Sequence, residues 1–298
     1  MMSFFVLMAA ALLHSGYESE REKMSPGEAI ELAQPEDWIT IPAEDLLLVD
    51  LEGGKRIAFQ LAPQWAPVHV ANIRRFADSG YWEGASVYRV QDNYVAQFGL
   101  LESDRPNPDG VIDNPPPEYV RSAEGLDLTL LGSPDPYAMV AGFSDGWPVA
   151  IYEDGTASLT HCYGTLGAGR DLSPNTGSGA ELYAIIGHAP RHLDRNIAIV
   201  GRAVDGIEHL SSLPRGSGPL GFLVEEKGEK ASLIVSIRLA SSLPEDERPS
   251  YQYLSEDSAA FARYLDVRSN RYDDFYDVPA GGVALCNVQV PVRPSTDD

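Results

Sequence analysis

The sequence is poor in positive charge. Its 22 lysines and arginines face 44 acidic residues, which gives a formal net charge of -22 at pH 7. A surface this negative repels nucleic-acid phosphates and anionic lipid headgroups, so neither is expected as a partner. Beyond its first residues the chain also has no apolar run of about 20 residues, the length that spans a bilayer. No stable membrane insertion is expected after processing.

Cysteine is scarce as well, since Cys162 and Cys286 are the only two. Two cysteines do not define a disulfide framework. They can pair in an oxidising compartment, and two buried free thiols agree with the sequence equally well. The sequence leaves their state open.

Several signatures of catalysis are missing. There is no G-x-S-x-G elbow of a serine hydrolase, and residues 164–171 (GTLGAGRD) lack the GK[ST] ending of a phosphate-binding loop. His188 and His192 have the spacing of a metal pair on a helix, but Pro190 between them breaks the helix that would align their rings. We therefore expect neither a metal nor a cofactor.

The chain begins with an apolar leader. Residues 1–13 (MMSFFVLMAAALL) are too short to span a membrane, and the small residues Ser15 and Gly16 suit cleavage. This pattern predicts a signal peptide over residues 1–16 and a periplasmic or secreted protein. No basic residue precedes the apolar run, so a buried N-terminal helix or a misassigned start is the alternative.

The main part of the chain has the pattern of a mainly β protein. Apolar runs on both sides of the turn at residues 52–55 predict a β-hairpin. Helical spacing predicts one helix over residues 67–79, with Gly80 at its C-terminal end, and a shorter helix over residues 205–213. Further strands are predicted at residues 85–90, 94–100, 149–152, 157–161, 182–186, 197–200 and 231–239. Short strands with turns between them and two helices indicate an antiparallel barrel or sandwich.

Three other segments flank or interrupt this pattern. Residues 17–44 form a polar N-terminal segment with one short helix at 26–32. Residues 102–124, rich in Pro, Asp and Gly, predict a long loop inserted in the domain. Residues 241–298 form a C-terminal extension, with a helix predicted at 255–267 and a strand at 283–290.

Three blocks of sequence together resemble the cyclophilin type of peptidyl-prolyl cis-trans isomerase. The first contains Ala66-Pro67, Val70, Asn72-Ile73 and the turn GYWEG at residues 80–84; the second is VYRVQDNYVAQFG at residues 87–99; the third covers residues 177–210. The resemblance covers about residues 45–240. It implies a closed eight-stranded antiparallel barrel with two capping helices, which isomerises X-Pro bonds of proline-containing polypeptides.

The resemblance places a catalytic arginine at Arg89, which lies on an alternating strand. Isomerisation needs no nucleophile, because a fixed donor aimed at the proline nitrogen stabilises the twisted amide more than the planar one. Arginine suits this role through its permanent charge and rigid, planar group. The alternative is an exposed strand arginine in a salt bridge.

The resemblance also assigns substrate-binding residues. The apolar pocket for the proline ring falls on Tyr94, Val95, Tyr183 and Leu193, and Gln97 matches a glutamine that bonds the substrate backbone. The alternative for the first four is ordinary core packing. For Gln97 the alternative is a polar strand residue that faces solvent.

Five positions depart from the family pattern. His161 replaces a small residue, Cys162 replaces an asparagine that acts through its backbone, His192 replaces a tryptophan, Ile197 replaces a histidine and Glu181 replaces a glutamine. His161, Cys162 and His192 are still predicted to line the substrate site. These changes motivate a second hypothesis: a catalytically weak module that binds proline-containing segments as a chaperone or scaffold.

Overall fold

The computed structural model describes residues 23–101, 104–271 and 273–295, so the expected signal peptide, residues 1–16, lies outside the described residues. The helices are α1 (Pro26–Glu31), α2 (Pro67–Asp78), α3 (Glu208–Ser211) and α4 (Ala259–Ser269). The strands are β1 (Trp38–Thr40), β2 (Leu46–Leu51), β3 (Lys55–Leu61), β4 (Ser86–Val90), β5 (Val95–Gly99), β6 (Arg121–Ser122), β7 (Thr129–Leu130), β8 (Val140–Ser144), β9 (Trp147–Ile151), β10 (Thr156–Leu159), β11 (Thr165–Ala168), β12 (Leu182–Ile185), β13 (Ile199–Asp205), β14 (Ser232–Leu239), β15 (Tyr251–Leu254) and β16 (Val292–Pro294).

Eight strands close into an antiparallel barrel in the order β11-β12-β5-β4-β14-β2-β3-β13, with β13 returning to β11. The predicted hairpin is its β2–β3 pair. Leu47, Val49, Ile57 and Phe59 point to one face and fill the interior, as the alternation of a barrel strand requires. On the opposite face, Leu46, Leu48 and Ala58 are buried in a second cluster with Tyr251 of the C-terminal extension. The expected barrel is confirmed.

Helix α2 covers the barrel with its apolar face, on which Val70, Ile73 and Phe76 are fully buried. Ser79 ends the helix, and Gly80 follows with a φ of 67°, a conformation that glycine adopts without steric cost. The second predicted helix, over residues 205–213, is a single turn, α3, which lies close to β3.

A five-stranded sheet, in the order β6-β10-β9-β8-β7, lies outside the barrel. We call it the added sheet. The loop predicted over residues 102–124 leads into it, and the strands predicted at 149–152 and 157–161 belong to it rather than to the barrel. Trp147 and Leu159 pack with Trp65 and Ile199 in one cluster, which joins this sheet to the barrel surface. The strands of the two sheets have the same local pattern, so the sequence alone does not assign them to one sheet or the other.

The N-terminal segment and the C-terminal extension fold together. Strand β15 lies between β1 and β16 in a three-stranded sheet, and α1 contacts α4. Helix α4 starts after Ser258, whose hydroxyl accepts from the Phe261 amide, so it begins later than predicted.

The strand predicted at residues 283–290 is wrong. Leu285–Asn287 forms a 3-10 turn there, and the strand, β16, comes later. Leu285, Val288 and Val290 are buried in a cluster that includes residues of α4. Their apolar spacing resembles that of a strand, although they pack against a helix.

The two cysteines are joined in a disulfide, Cys162–Cys286, with Cα atoms 5.0 Å apart. This bond links the C-terminal extension to the segment between β10 and β11. Across residues 23–101, 104–271 and 273–295, no helix has the length and apolar character that a membrane span requires.

Candidate active site

Three neighbouring strands place Arg89, Gln97 and Tyr183 in one row. Gln97 on β5 pairs with Arg89 on β4 on one side and with Tyr183 on β12 on the other. Residues directly opposite in an antiparallel pair point to the same face. The alternating residues Ala96 and Phe98 belong to the barrel core, so the row lies on the outer surface of the barrel.

Three hydrogen bonds hold the guanidinium of Arg89. Nε donates to the Leu220 carbonyl (2.8 Å), and the two terminal nitrogens donate to Oε1 of Gln97 (2.9 Å) and Oε1 of Gln91 (2.8 Å). Each terminal nitrogen carries a second N–H, so the group keeps donor capacity for an incoming amide. Partial burial lowers the pKa of Arg89, but a guanidinium stays charged at neutral pH.

Aromatic rings flank the same guanidinium. Its Cζ lies 6.0 Å from the ring centre of Tyr94 and 5.8 Å from that of Phe222, distances typical of weak cation–π contacts. Phe222 and Leu220 come from the loop before β14, and Phe222 makes a bridge to Arg89. The predictions from the sequence do not include this loop. Its signal was weak: one aromatic residue in a turn rich in Gly and Pro.

An apolar floor lies beside the row. Val95, Tyr183 and Ile185 form a small buried cluster, and Tyr94 and Ile197 pack against it. The structure thus brings Tyr94, Val95 and Tyr183, three of the four residues predicted to contact a proline ring, to the side of Arg89.

The 3-10 turn Arg191–Leu193 forms one edge of this floor. The exposed ring of His192 stacks on Tyr94, with centres 6.2 Å apart and planes 13° apart. Leu193 is half-buried in the same turn. Its contact with a proline ring stays a prediction.

His161 is fully buried. Its Nδ1 lies 2.9 Å from Oδ1 of Asp194, and its Nε2 lies 3.0 Å from the Tyr183 hydroxyl. The histidine therefore reaches the row through Tyr183. Its direct contact with substrate stays a prediction.

Cys162 cannot use its sulfur in binding, because the sulfur is bonded to Cys286. Its amide donates to the Thr160 carbonyl (2.9 Å), and its carbonyl accepts from the Thr165 amide (3.1 Å). A carbonyl can accept a second hydrogen bond, so the predicted backbone role stays a prediction.

A buried series of charged groups continues from His161. Arg191 donates through Nε to Asp194 and through a terminal nitrogen to Oδ2 of Asp135 (2.8 Å). Asp135 lies between β7 and β8 of the added sheet. The predictions from the sequence do not include this series, since its members are far apart along the chain and match no local motif.

A second pair of bonded side chains, the buried Tyr88 and the half-buried Glu181, lies next to the row. The Tyr88 hydroxyl donates to the carboxylate of Glu181, and the Tyr88 ring stacks on Phe222 with centres 6.0 Å apart. Burial raises the pKa of Glu181 to about 7, although the bond from Tyr88 opposes the shift. Glu181 is thus poised to change charge near neutral pH.

The arrangement supplies a fixed cationic donor beside an apolar, aromatic floor. Among the residues that the structure describes, no group of three or more His, Cys, Asp or Glu side chains is placed to hold a metal ion. Such a site suits the binding and polarisation of an amide next to an apolar ring.

The fold is similar to that of a solved structure. Cyclophilin AquaCyp293 from Hirschia baltica matches with a TM-score of 0.68 and 24% identity, over 88% of this chain and 94% of that chain. The match extends well beyond the barrel strands, and it shows that the fold is that of a cyclophilin.

Sequence comparison gives the family. The profile of the family "Cyclophilin type peptidyl-prolyl cis-trans isomerase/CLD" matches residues 47–237, and this chain belongs to that family. It is 25% identical over 166 residues to peptidyl-prolyl cis-trans isomerase B of Bacillus subtilis, covering 56% of this chain and 88% of that protein. It is 24% identical over 177 residues to a probable peptidyl-prolyl cis-trans isomerase of Brucella suis, covering 58% and 74%.

Proposed function

We propose that this protein catalyses cis–trans isomerisation of X-Pro bonds in exported polypeptides, with Arg89 as the catalytic residue and residues 45–240 as the catalytic domain. The observation that carries the proposal is the row of Arg89, Gln97 and Tyr183, on three adjacent strands beside an apolar cluster. Family membership agrees with this activity.

The chemistry required is modest. Rotation about a peptide bond has a barrier of about 18–20 kcal/mol, because resonance is lost in the twisted state. In that state the proline nitrogen becomes a better hydrogen-bond acceptor. The remaining N–H groups of Arg89 can donate to it, and the three internal bonds keep the guanidinium from reorienting as the bond turns.

The floor supplies the binding energy for the ring. In our proposal the proline ring rests on Tyr94, Val95 and Tyr183, with Leu193 and His192 at one edge. Gln97 would bond the substrate backbone, and His161 and Cys162 would shape the far end of the site. An apolar floor with few polar groups is typical of a specific pocket for a small ring.

Export is the second part of the proposal. Disulfides persist in oxidising compartments, and the bond between Cys162 and Cys286 supports a periplasmic or secreted location. The apolar leader in residues 1–16 supports it independently.

A second candidate function is binding of proline-containing segments without turnover. One observation favours it: His161 contacts Tyr183 and His192 stacks on Tyr94, at positions where the family pattern has a small residue and a tryptophan. This module would use the same floor as a chaperone or scaffold.

A protease-coupled assay on a peptide with one X-Pro bond separates the two functions. We expect Arg89→Ala to lower kcat/KM about 100- to 1000-fold, the effect typical of losing one preorganised donor, and to lower kcat rather than raise KM. Arg238→Ala, which changes an arginine on the barrel strand β14 that bonds Asp50, is the matched control and should retain activity.

Two outcomes would change the conclusion. Peptide binding without turnover in the unchanged protein would favour the binding module. Turnover that is equal with and without Arg89 would remove the catalytic assignment.

A further inference from the structure

The Tyr183 hydroxyl is the last group in a buried series of hydrogen bonds. Rotation of an amide does not itself require this series. Asp194, His161 and Tyr183 are joined by contacts of 2.9 Å and 3.0 Å, and all three side chains are buried. Three polar groups at the edge of an apolar floor are costly to bury unless each has a partner. Their mutual bonds offset this cost, so their arrangement is specific rather than incidental.

The direction of the hydrogen bonds follows from the partners of Asp194. Its carboxylate accepts from the His161 amide (2.9 Å) and from Nε of Arg191. An ionised carboxylate can only accept, so Nδ1 of His161 donates to it. In the neutral ring Nε2 is then the acceptor, and the Tyr183 hydroxyl donates to it. Burial raises the pKa of Tyr183, so the hydroxyl keeps this proton.

The Tyr183 ring is also fixed from below. It lies directly over Gly167 of β11, where a Cβ added to the glycine would overlap the ring. The His161 ring is nearly parallel to it, with planes 6° apart and centres 6.3 Å apart. The contact with Gly167 limits how closely the Tyr183 ring approaches β11, and the bond to His161 fixes the position of the Tyr183 hydroxyl.

We propose that His161 and Asp194 are positioning residues, which hold the Tyr183 ring in the plane that the substrate proline ring contacts. This proposal rests on the proposed function. Arg191 bonds both Asp194 and Asp135, so it connects this series of hydrogen bonds to the added sheet. Without His161 the Tyr183 hydroxyl would lose its buried partner and turn towards water, and the floor would no longer match a proline ring.

A double-mutant cycle tests this coupling. His161→Phe keeps a ring at the position but removes both nitrogens. We expect it to lower kcat/KM about tenfold through a higher KM, a coupling typical of residues in one hydrogen-bond network. In a Tyr183→Phe background the hydroxyl is already gone. The double variant should therefore lie within about threefold of Tyr183→Phe alone, because removing both partners leaves no buried group unpaired.

Asp194→Asn supplies a second cycle if His161→Phe does not fold, as judged by circular dichroism. Asp194→Asn should lower kcat/KM when Tyr183 is unchanged, and it should have little effect in the Tyr183→Phe background. Tyr152→Phe is the matched control. It removes a buried tyrosine hydroxyl bonded to Ser158 (2.9 Å) in the added sheet, and kcat/KM should not change.

The positioning role would be overturned if His161→Phe caused the same fold-change in kcat/KM in the unchanged background and in the Tyr183→Phe background. If Arg89→Ala still abolishes activity in that case, the proposed function stands and only this inference fails. If the unchanged protein binds a proline peptide without turnover, the proposed function fails, and the same cycle is measured on the peptide Kd. If it neither binds nor turns over the peptide, both proposals fail.

Discussion

Breaking the disulfide between Cys162 and Cys286 measures how strongly this bond stabilises the folded protein against unfolding. The two cysteines are 124 residues apart in sequence. In the chain-entropy treatment, closing a loop of this length destabilises the unfolded state by about 5 kcal/mol. Domains are typically stable by only about 5–15 kcal/mol. Loss of the bond should therefore remove a large part of the total stability.

Urea unfolding of the double variant Cys162→Ala/Cys286→Ala provides the test. With a slope of about 2–3 kcal/mol per molar urea, the midpoint should fall by about 2 M. The unchanged protein treated with a thiol reductant should show a similar fall, whereas the double variant should not respond to the reductant. A loss below about 1 kcal/mol, the size of an ordinary point mutation, would refute the reasoning, because the loop would then already be constrained in the unfolded state.

Two further predictions concern single carboxylates. Helix α2 has no cap from its own N-cap residue, and Glu118 accepts from the amides of Val68 (2.9 Å) and His69 (3.0 Å) instead. Glu118→Ala should therefore cost at least about 1–2 kcal/mol of unfolding free energy, because it also leaves Nδ1 of the buried His69, 2.7 Å from this carboxylate, without its partner. Glu124→Ala, at an exposed position nearby, is the control. Burial raises the pKa of Glu181 from 4.5 to about 7. Between these two pH values the folded state keeps a proton that the unfolded state releases, and stability should fall by up to about 3 kcal/mol as the pH rises through this window.

Both predictions have a clear contrary result. For Glu118, equal unfolding midpoints of the two alanine variants would show that the helix start does not depend on this carboxylate. For Glu181, Glu181→Gln should remove its share of the pH dependence when urea unfolding is compared at about pH 4.5 and pH 8. Identical pH profiles of the variant and the unchanged protein would show that this carboxyl group is not desolvated in solution.

Local patterns predicted much of the barrel. The β2–β3 hairpin follows from two apolar runs around a glycine turn, and α2 follows from helical spacing that ends at Gly80. These signals act over a few residues, so they can be read without knowing the rest of the fold. The resemblance then supplied the closure of the barrel and the position of Arg89, which no periodicity indicates.

Contacts between distant segments were beyond such patterns. The sequence alone does not show that β1 pairs with β15. It also does not show that the strands at residues 147–151 and 156–159 belong to the added sheet and not to the barrel. Strands in both sheets show the same alternation of residues. The alternation indicates which face of a strand is buried, but not which strand lies beside it.

The candidate site divides in the same way. The sequence by itself, with its family resemblance, determined the chemical groups: a strand arginine, a nearby glutamine and aromatic residues. Only the tertiary structure decided that Tyr183 bonds a buried His161, that Phe222 and the Leu220 carbonyl contact Arg89, and that the cysteines are joined. The physical reason is that hydrogen bonds and disulfides depend on distances of a few ångströms between residues far apart in the chain, and those distances exist only after the barrel has closed.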